Sequence, residues 1–94
     1  ALYLVKNGGK RIMRNKINLV TMTDITEFIK ICEGIEGRVE LICGKKGYRV
    51  NARSVLGCLA ALEFDEMIVD SDVDFYDKIE KFVVIGEDGN YIHE

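Results

Sequence analysis

From Arg38 to Arg53 the sequence carries a two-residue rhythm broken once, and that stretch limits the fold more than any other. Val39, Leu41 and Cys43 alternate with Glu40 and Ile42; Gly44, Lys45, Lys46 and Gly47 turn the chain; Tyr48, Val50 and Ala52 then alternate with Arg49, Asn51 and Arg53. Successive side chains of a strand point to opposite faces, so this is a β-hairpin with one face buried, and Tyr48 reads as core. Ser54 follows at an N-cap position, able to accept from the free N–H groups of the next turn. Val55, Leu56, Leu59 and Leu62 then recur at helical spacing to about Glu63.

The same reading extends to both sides. Residues 11 to 20 alternate Met13, Asn15, Ile17 and Leu19 against Ile12, Arg14, Lys16 and Asn18, a strand with one face toward water. Asp24 with Glu27 has the form of a capping box ahead of Ile25, Phe28, Ile29, Cys32 and Ile35, a helix that Gly34 and Gly37 stop. Met67 to Val69 reads as a short strand. Asp72 or Asp74 then caps a third helix carrying Phe75, Ile79, Phe82 and Val83, ended by Gly86, and the tail EDGNYIHE holds a DG turn. The order is β α β β α β α, an α+β domain with helices on one side of a four-stranded sheet.

Residues 1 to 12 stand outside that order as an N-terminal extension. ALYLV can pair with the following strand through a turn at Asn7, Gly8 and Gly9. Alternatively, NGGKRIM is what a purine-rich ribosome-binding site and start codon encode when translated, which would make Met13 the natural first residue. Residues 13 to 86 form the domain proper and 87 to 94 a tail.

Ninety-four residues suffice for one modest core and no deep cavity, because a chain this size buries only roughly two-thirds of its unfolded surface. With 48% apolar and 31% charged residues, no apolar run near the ~18 residues of a membrane span and no secretory signal, a soluble cytoplasmic protein is expected. Cys32, Cys43 and Cys58 are odd in number and lie within apolar segments, so they read as reduced core thiols rather than metal or redox groups.

Charge is divided unevenly. Residues 1 to 62 hold 11 Lys or Arg against 5 Asp or Glu, and residues 63 to 94 hold 2 against 11, giving +6 and −9. Either the halves fold together and their fields partly cancel, the expected case, or a basic face steers an acidic partner. Lys10, Arg11, Arg14, Lys16, Lys45, Lys46, Arg49 and Arg53 would make a nucleic-acid surface if the first and third strands of the domain presented them together, but clustered cations are an unspecific signal and the chain is acidic overall. Asp70, Asp72 and Asp74 do not make a calcium loop, since the glycine and glutamate of an EF-hand are replaced by Phe75 and Lys81.

The segment Val50, Asn51, Ala52, Arg53, Ser54, Val55, Leu56, Gly57, Cys58, Leu59 resembles the signature of the HPr family, the histidine-containing phosphocarriers of the bacterial phosphoenolpyruvate sugar phosphotransferase system. There a strand of the form V-N-x-K-S runs into a helix beginning I-M-G-x-M-x-L. The resemblance implies an open-faced sandwich with antiparallel strand order 1-4-2-3. It also implies three functional regions.

The phosphoacceptor histidine of the family precedes the first helix in a G-[IL]-H-A-R-P stretch, whose equivalent here is Leu19, Val20, Thr21, Met22, Thr23, Asp24. Thr21 stands for the histidine and Thr23 for the arginine. A phosphoramidate is high in transfer potential and a threonine ester is not, so phosphocarrier chemistry is expected to be lost. His93 is the one histidine and reads as a solvated tail residue. Ser54 matches the serine that a regulatory kinase phosphorylates in Gram-positive relatives; a plain N-cap serine is the other reading. Val55, Leu56 and Leu59, with Arg53, match the surface on which the family docks its partners. The expectation is therefore a protein-binding or regulatory module, not an enzyme, needing no cofactor, metal or membrane. A phosphocarrier with an atypical acceptor is the alternative, and a basic-faced nucleic-acid binder a further one.

Overall fold

Period-two alternation translates directly into a sheet with a buried and an open face. The computed structural model describes residues 3–7 and 10–84, with side chains from residue 12 onward. Its strands are β1 (Tyr3–Asn7), β2 (Lys10–Ile17), β3 (Val39–Cys43), β4 (Tyr48–Asn51) and β5 (Met67–Ser71). All neighbours are antiparallel, in the order β1-β2-β5-β3-β4. Taking the four strands that follow residue 9 in chain order, the sequence 1-4-2-3 is the one expected, and β1 extends it at one edge. The pairing of residues 3–7 with 10–14 bears out the hairpin; its turn at Gly8 and Gly9, Gly86, the tail and His93 lie outside the described residues.

Helices α1 (Met22–Glu33), α2 (Val55–Ala61) and α3 (Tyr76–Ile79), the last continuing into a 3-10 turn at Glu80–Phe82, cover one face. Met13, Ile17, Val39, Leu41, Cys43, Met67 and Val69 from the strands meet Ile25, Phe28, Ile29, Cys32, Cys58, Ala61, Ile79 and Phe82 from the helical side. Phe28 and Phe82 pack edge to face, centroids 6.2 Å apart, a geometry in which the positive ring edge meets the negative face.

Several boundaries differ from expectation for local reasons. The capping box of α1 is Thr21 with Asp24, one turn earlier than Asp24 with Glu27. Extended backbone at Thr21 lets its hydroxyl accept from the Asp24 N–H (3.1 Å), while the Asp24 carboxylate accepts from the Val20 and Thr21 N–H groups (2.9 and 3.1 Å). Glu27 instead pairs with Lys81. Helix α2 stops at Ala61, and residues 62 to 64 tighten into i to i−3 hydrogen bonds.

The third helix is shorter than its apolar pattern implies because Phe82 and Val83 are taken up by β2. Asn18 N–H donates to Phe82 O (2.9 Å), Val84 N–H to Lys16 O (2.8 Å), and Val83 bridges Ile17. Its N-cap residue is Phe75, without a side-chain cap; Asp74 accepts from Tyr76 N–H (3.2 Å) and Asp72 from Arg38 N–H (3.0 Å). Tyr48 is 53% exposed rather than core. It lies on the edge strand, past the cover of the helices, and leans on Phe64 with centroids 5.7 Å apart.

Among the described side chains of β2, Asn15 is the one polar residue that the strand's rhythm directs into the core. It is 1% exposed, and among the described residues neither its amide nitrogen nor its oxygen has a hydrogen-bond partner. Desolvating an unpaired amide costs about 1–3 kcal/mol, so Asn15→Val, a better strand former of similar width, is expected to stabilise the fold by about 1–2 kcal/mol. Urea unfolding measures this; a loss of stability would show that the amide is satisfied by water.

Candidate functional site

The two regions singled out in the sequence start from opposite ends of the sheet. Thr21 follows β2 where Ile17 pairs with Met67. Ser54 follows β4 at the other end, where Asn51 pairs with Glu40 and Glu40 with Asp70. Thr21 and Thr23 are thus together at the start of α1, and Ser54 to Leu59 together along α2.

At α1 the Thr21 hydroxyl is engaged in the capping box. Hydrogen bonds from the Val20 and Thr21 backbone hold the Asp24 carboxyl below its ordinary range. Val20 and Met22, either side of Thr21, are exposed. The position has an alcohol serving the helix and a carboxylate one turn on, with no cation supplied by Thr23.

At α2 the Ser54 hydroxyl accepts from Gly57 N–H (3.1 Å), as an N-cap should. Gly57 permits the helix to press on the end of β4: a Cβ there would stand 3.0 Å from Asn51 O. Cys58 and Ala61 anchor the inner side, and the helix leaves Leu56 79% and Val55 50% exposed, with Leu59 beside them. Seven residues offer too few inward positions for every apolar side chain in the segment.

Arg53 has a different role from its neighbours. Its Nε donates to Cys32 O (2.9 Å) and its Nη2 to Ile35 O (2.5 Å) and Gly37 O (2.8 Å), tying the start of α2 to the end of α1.

A third constellation, on the sheet face away from the helices, is not among the sites expected from the sequence. Asp70 of β5 is 1% exposed and accepts from Arg14 Nε (2.6 Å), Arg38 Nη1 (2.5 Å) and Arg49 Nη1 (2.9 Å). Glu40 Oε1 accepts from the same two Nη1 atoms at 2.9 and 3.0 Å. Burial pushes the Asp70 carboxyl up, but bonds from the three guanidinium groups outweigh it and hold the group below its ordinary range. Strand positions 14, 40, 49 and 70 share a face by parity, which is the signal the sequence carries for this cluster.

This arrangement changes the reading of the basic residues. β2 and β4 are separated by β5 and β3, and Arg14 and Arg49 meet around a carboxylate rather than forming a continuous cationic strip. The cysteines are buried. Desolvation raises the Cys32 thiol to about 12 and Cys58 to about 11, and also raises Cys43, so all three are protonated at neutral pH and poor nucleophiles or ligands. Among the described residues no three His, Cys, Asp or Glu side chains gather around a point that could hold a metal ion. No helix among them is long and apolar enough to cross a membrane.

Compared with models of known protein families, with curated proteins and with solved structures, the chain matches none.

Proposed function

We propose that this chain is a protein-docking module of the HPr type that works without phosphocarrier chemistry and meets its partner through α2. The observation that carries the reading is the water-facing trio Val55, Leu56 and Leu59, with Leu56 the most exposed large apolar side chain among the described residues. Burying a Leu or Val side chain is worth about 1.5–3 kcal/mol, and here that gain is unrealised in the isolated chain. A counter-surface that is apolar and uncharged at its centre matches the helix, which carries no charged residue between Val55 and Ala61. The resemblance in residues 50 to 59 supports one class of partner, a protein of the phosphotransferase system or its regulators, which would be met in the reducing cytoplasm of a bacterium.

Loss of phosphoryl transfer is supported by the chemistry at α1. The Thr21 hydroxyl is held in a cap, and its ester would be too stable to pass on. Ser54 fits regulation rather than catalysis. A dianionic phosphate beside Val55 and Leu56 would charge the docking face and release an apolar partner.

The test is a titration with the first enzyme of the phosphotransferase system, wild type against Leu56→Asp. Placing an unpaired carboxylate at the centre of the contact is expected to weaken binding about tenfold or more, while stability changes by less than about 0.5 kcal/mol because Leu56 faces water. Equal binding by the variant, or none by wild type, removes the reading. Acid-labile, base-stable label on the chain after incubation with phosphoenolpyruvate would restore the phosphocarrier alternative.

A further inference from the structure

From the geometry around Asp70 we infer a second binding site, on the open sheet face, for the phosphate group of a small soluble molecule. Arg38 and Arg49 each direct a single atom, Nη1, at the same two oxygens, Asp70 Oδ2 and Glu40 Oε1. Among the described residues no partner takes their Nε and Nη2 groups, which form the fork edge of each guanidinium. Both side chains remain partly open to solvent, 37% and 44% exposed. They border a depression of about 320 Å³ lined also by Ile12, Arg14 and Asp72.

Two features make this more than a salt-bridge network. The buried carboxylate fixes both guanidinium planes before any ligand arrives, so little side-chain freedom is lost on binding. Two forks also ask for more acceptor oxygens than the two of a carboxylate, and a tetrahedral phosphate supplies them. The depression is at the small end of ligand pockets, about 300–1,000 Å³, which suits a small phosphorylated compound.

Charge sets the strength. Among the described residues that line the depression, Arg14, Arg38 and Arg49 are matched by Asp70, Glu40 and Asp72, so these supply little net field to draw an anion in and recognition depends on directed donors. Affinity is therefore modest and only weakly sensitive to salt. Glu40, 32% exposed, holds Nη1 of both guanidinium groups, and its negative charge beside the forks opposes an incoming phosphate.

Two-dimensional proton–nitrogen spectra of the arginine Nε–H groups in the full chain report on both forks. Titration with inorganic phosphate at pH 7 is expected to move the Arg38 and Arg49 signals saturably, while Lys45→Gln leaves the titration unchanged. Arg49→Gln is expected to weaken it about tenfold, the value of a lost charge-assisted hydrogen bond. Glu40→Gln should tighten it severalfold, a gain that misfolding cannot produce. Absence of a saturable shift, or a Glu40→Gln variant that binds no more tightly, overturns the inference. A single-stranded oligonucleotide that saturates the same signals where phosphate does not would overturn it in favour of nucleic acid.

Discussion

Asp70→Asn is expected to lower the free energy of unfolding by about 3 kcal/mol at pH 7. Removing one partner of a buried ion network typically costs about 3–5 kcal/mol, because the remaining charges lose their compensation. Here the carboxylate is the buried member, while Arg14, Arg38 and Arg49 are 20%, 37% and 44% exposed and can rehydrate, which places the cost at the lower end. An asparagine oxygen can still accept one of the three guanidinium bonds, but not with charge.

The pH dependence follows from the depressed carboxyl. Its folded-state value lies below the 3.8 of an unperturbed aspartate, so its contribution is complete above that value and is lost as pH falls through the folded-state value. Wild type should therefore lose stability in strong acid with a steeper slope than Asp70→Asn. Urea unfolding at neutral pH and at steps below about pH 4 measures both. A variant as stable as wild type at pH 7 would show that the guanidinium groups gain nothing from the carboxylate.

That network also shows where sequence reading stops. Strand parity places Arg14, Glu40, Arg49 and Asp70 on one face, and the order 1-4-2-3 sets their strands side by side. Which charges meet is decided across separations of 56, 32 and 21 residues, for which no local spacing rule exists. Legible elements were those whose hydrophobic rhythm matched their final burial: Met13 and Ile17 on β2, Val39, Leu41 and Cys43 on β3, and Ile25, Phe28, Ile29 and Cys32 on α1.

Misreadings arose where two local rules competed. Thr21 and Asp24 are both good N-cap residues, and the extended backbone at Thr21 decided between them. Tyr48 keeps the parity of a core residue, opposite Cys43, yet the sheet edge leaves it in water. One short helix cannot bury all of Val55, Leu56, Leu59 and Leu62, so an apolar patch follows from the segment itself, but helical periodicity alone does not say that Leu56 is its most exposed member.

Arg53 separates the two sources of inference most cleanly. Resemblance places it on the docking surface, whereas its guanidinium spans the carbonyls of Cys32 in the last turn of α1 and of Ile35 and Gly37 just past it. The last carbonyls of a helix have no partner within it, and a cation there also opposes the negative end of the helix dipole. Arg53→Ala removes three charge-assisted bonds at once. Part of the loss is recovered by water, because the Gly37 contact is exposed, so the expected cost is about 2–3 kcal/mol. Arg53→Lys keeps the charge, but a single ammonium cannot reach all three oxygens, and about half the cost should remain. Urea unfolding of the two variants, paired with the titration used for Leu56→Asp, distinguishes the roles. A strut predicts lost stability with binding weakened less than by Leu56→Asp. Unchanged stability with binding lost would return Arg53 to the docking surface, and the junction of α1 and α2 would then have to be held by packing alone.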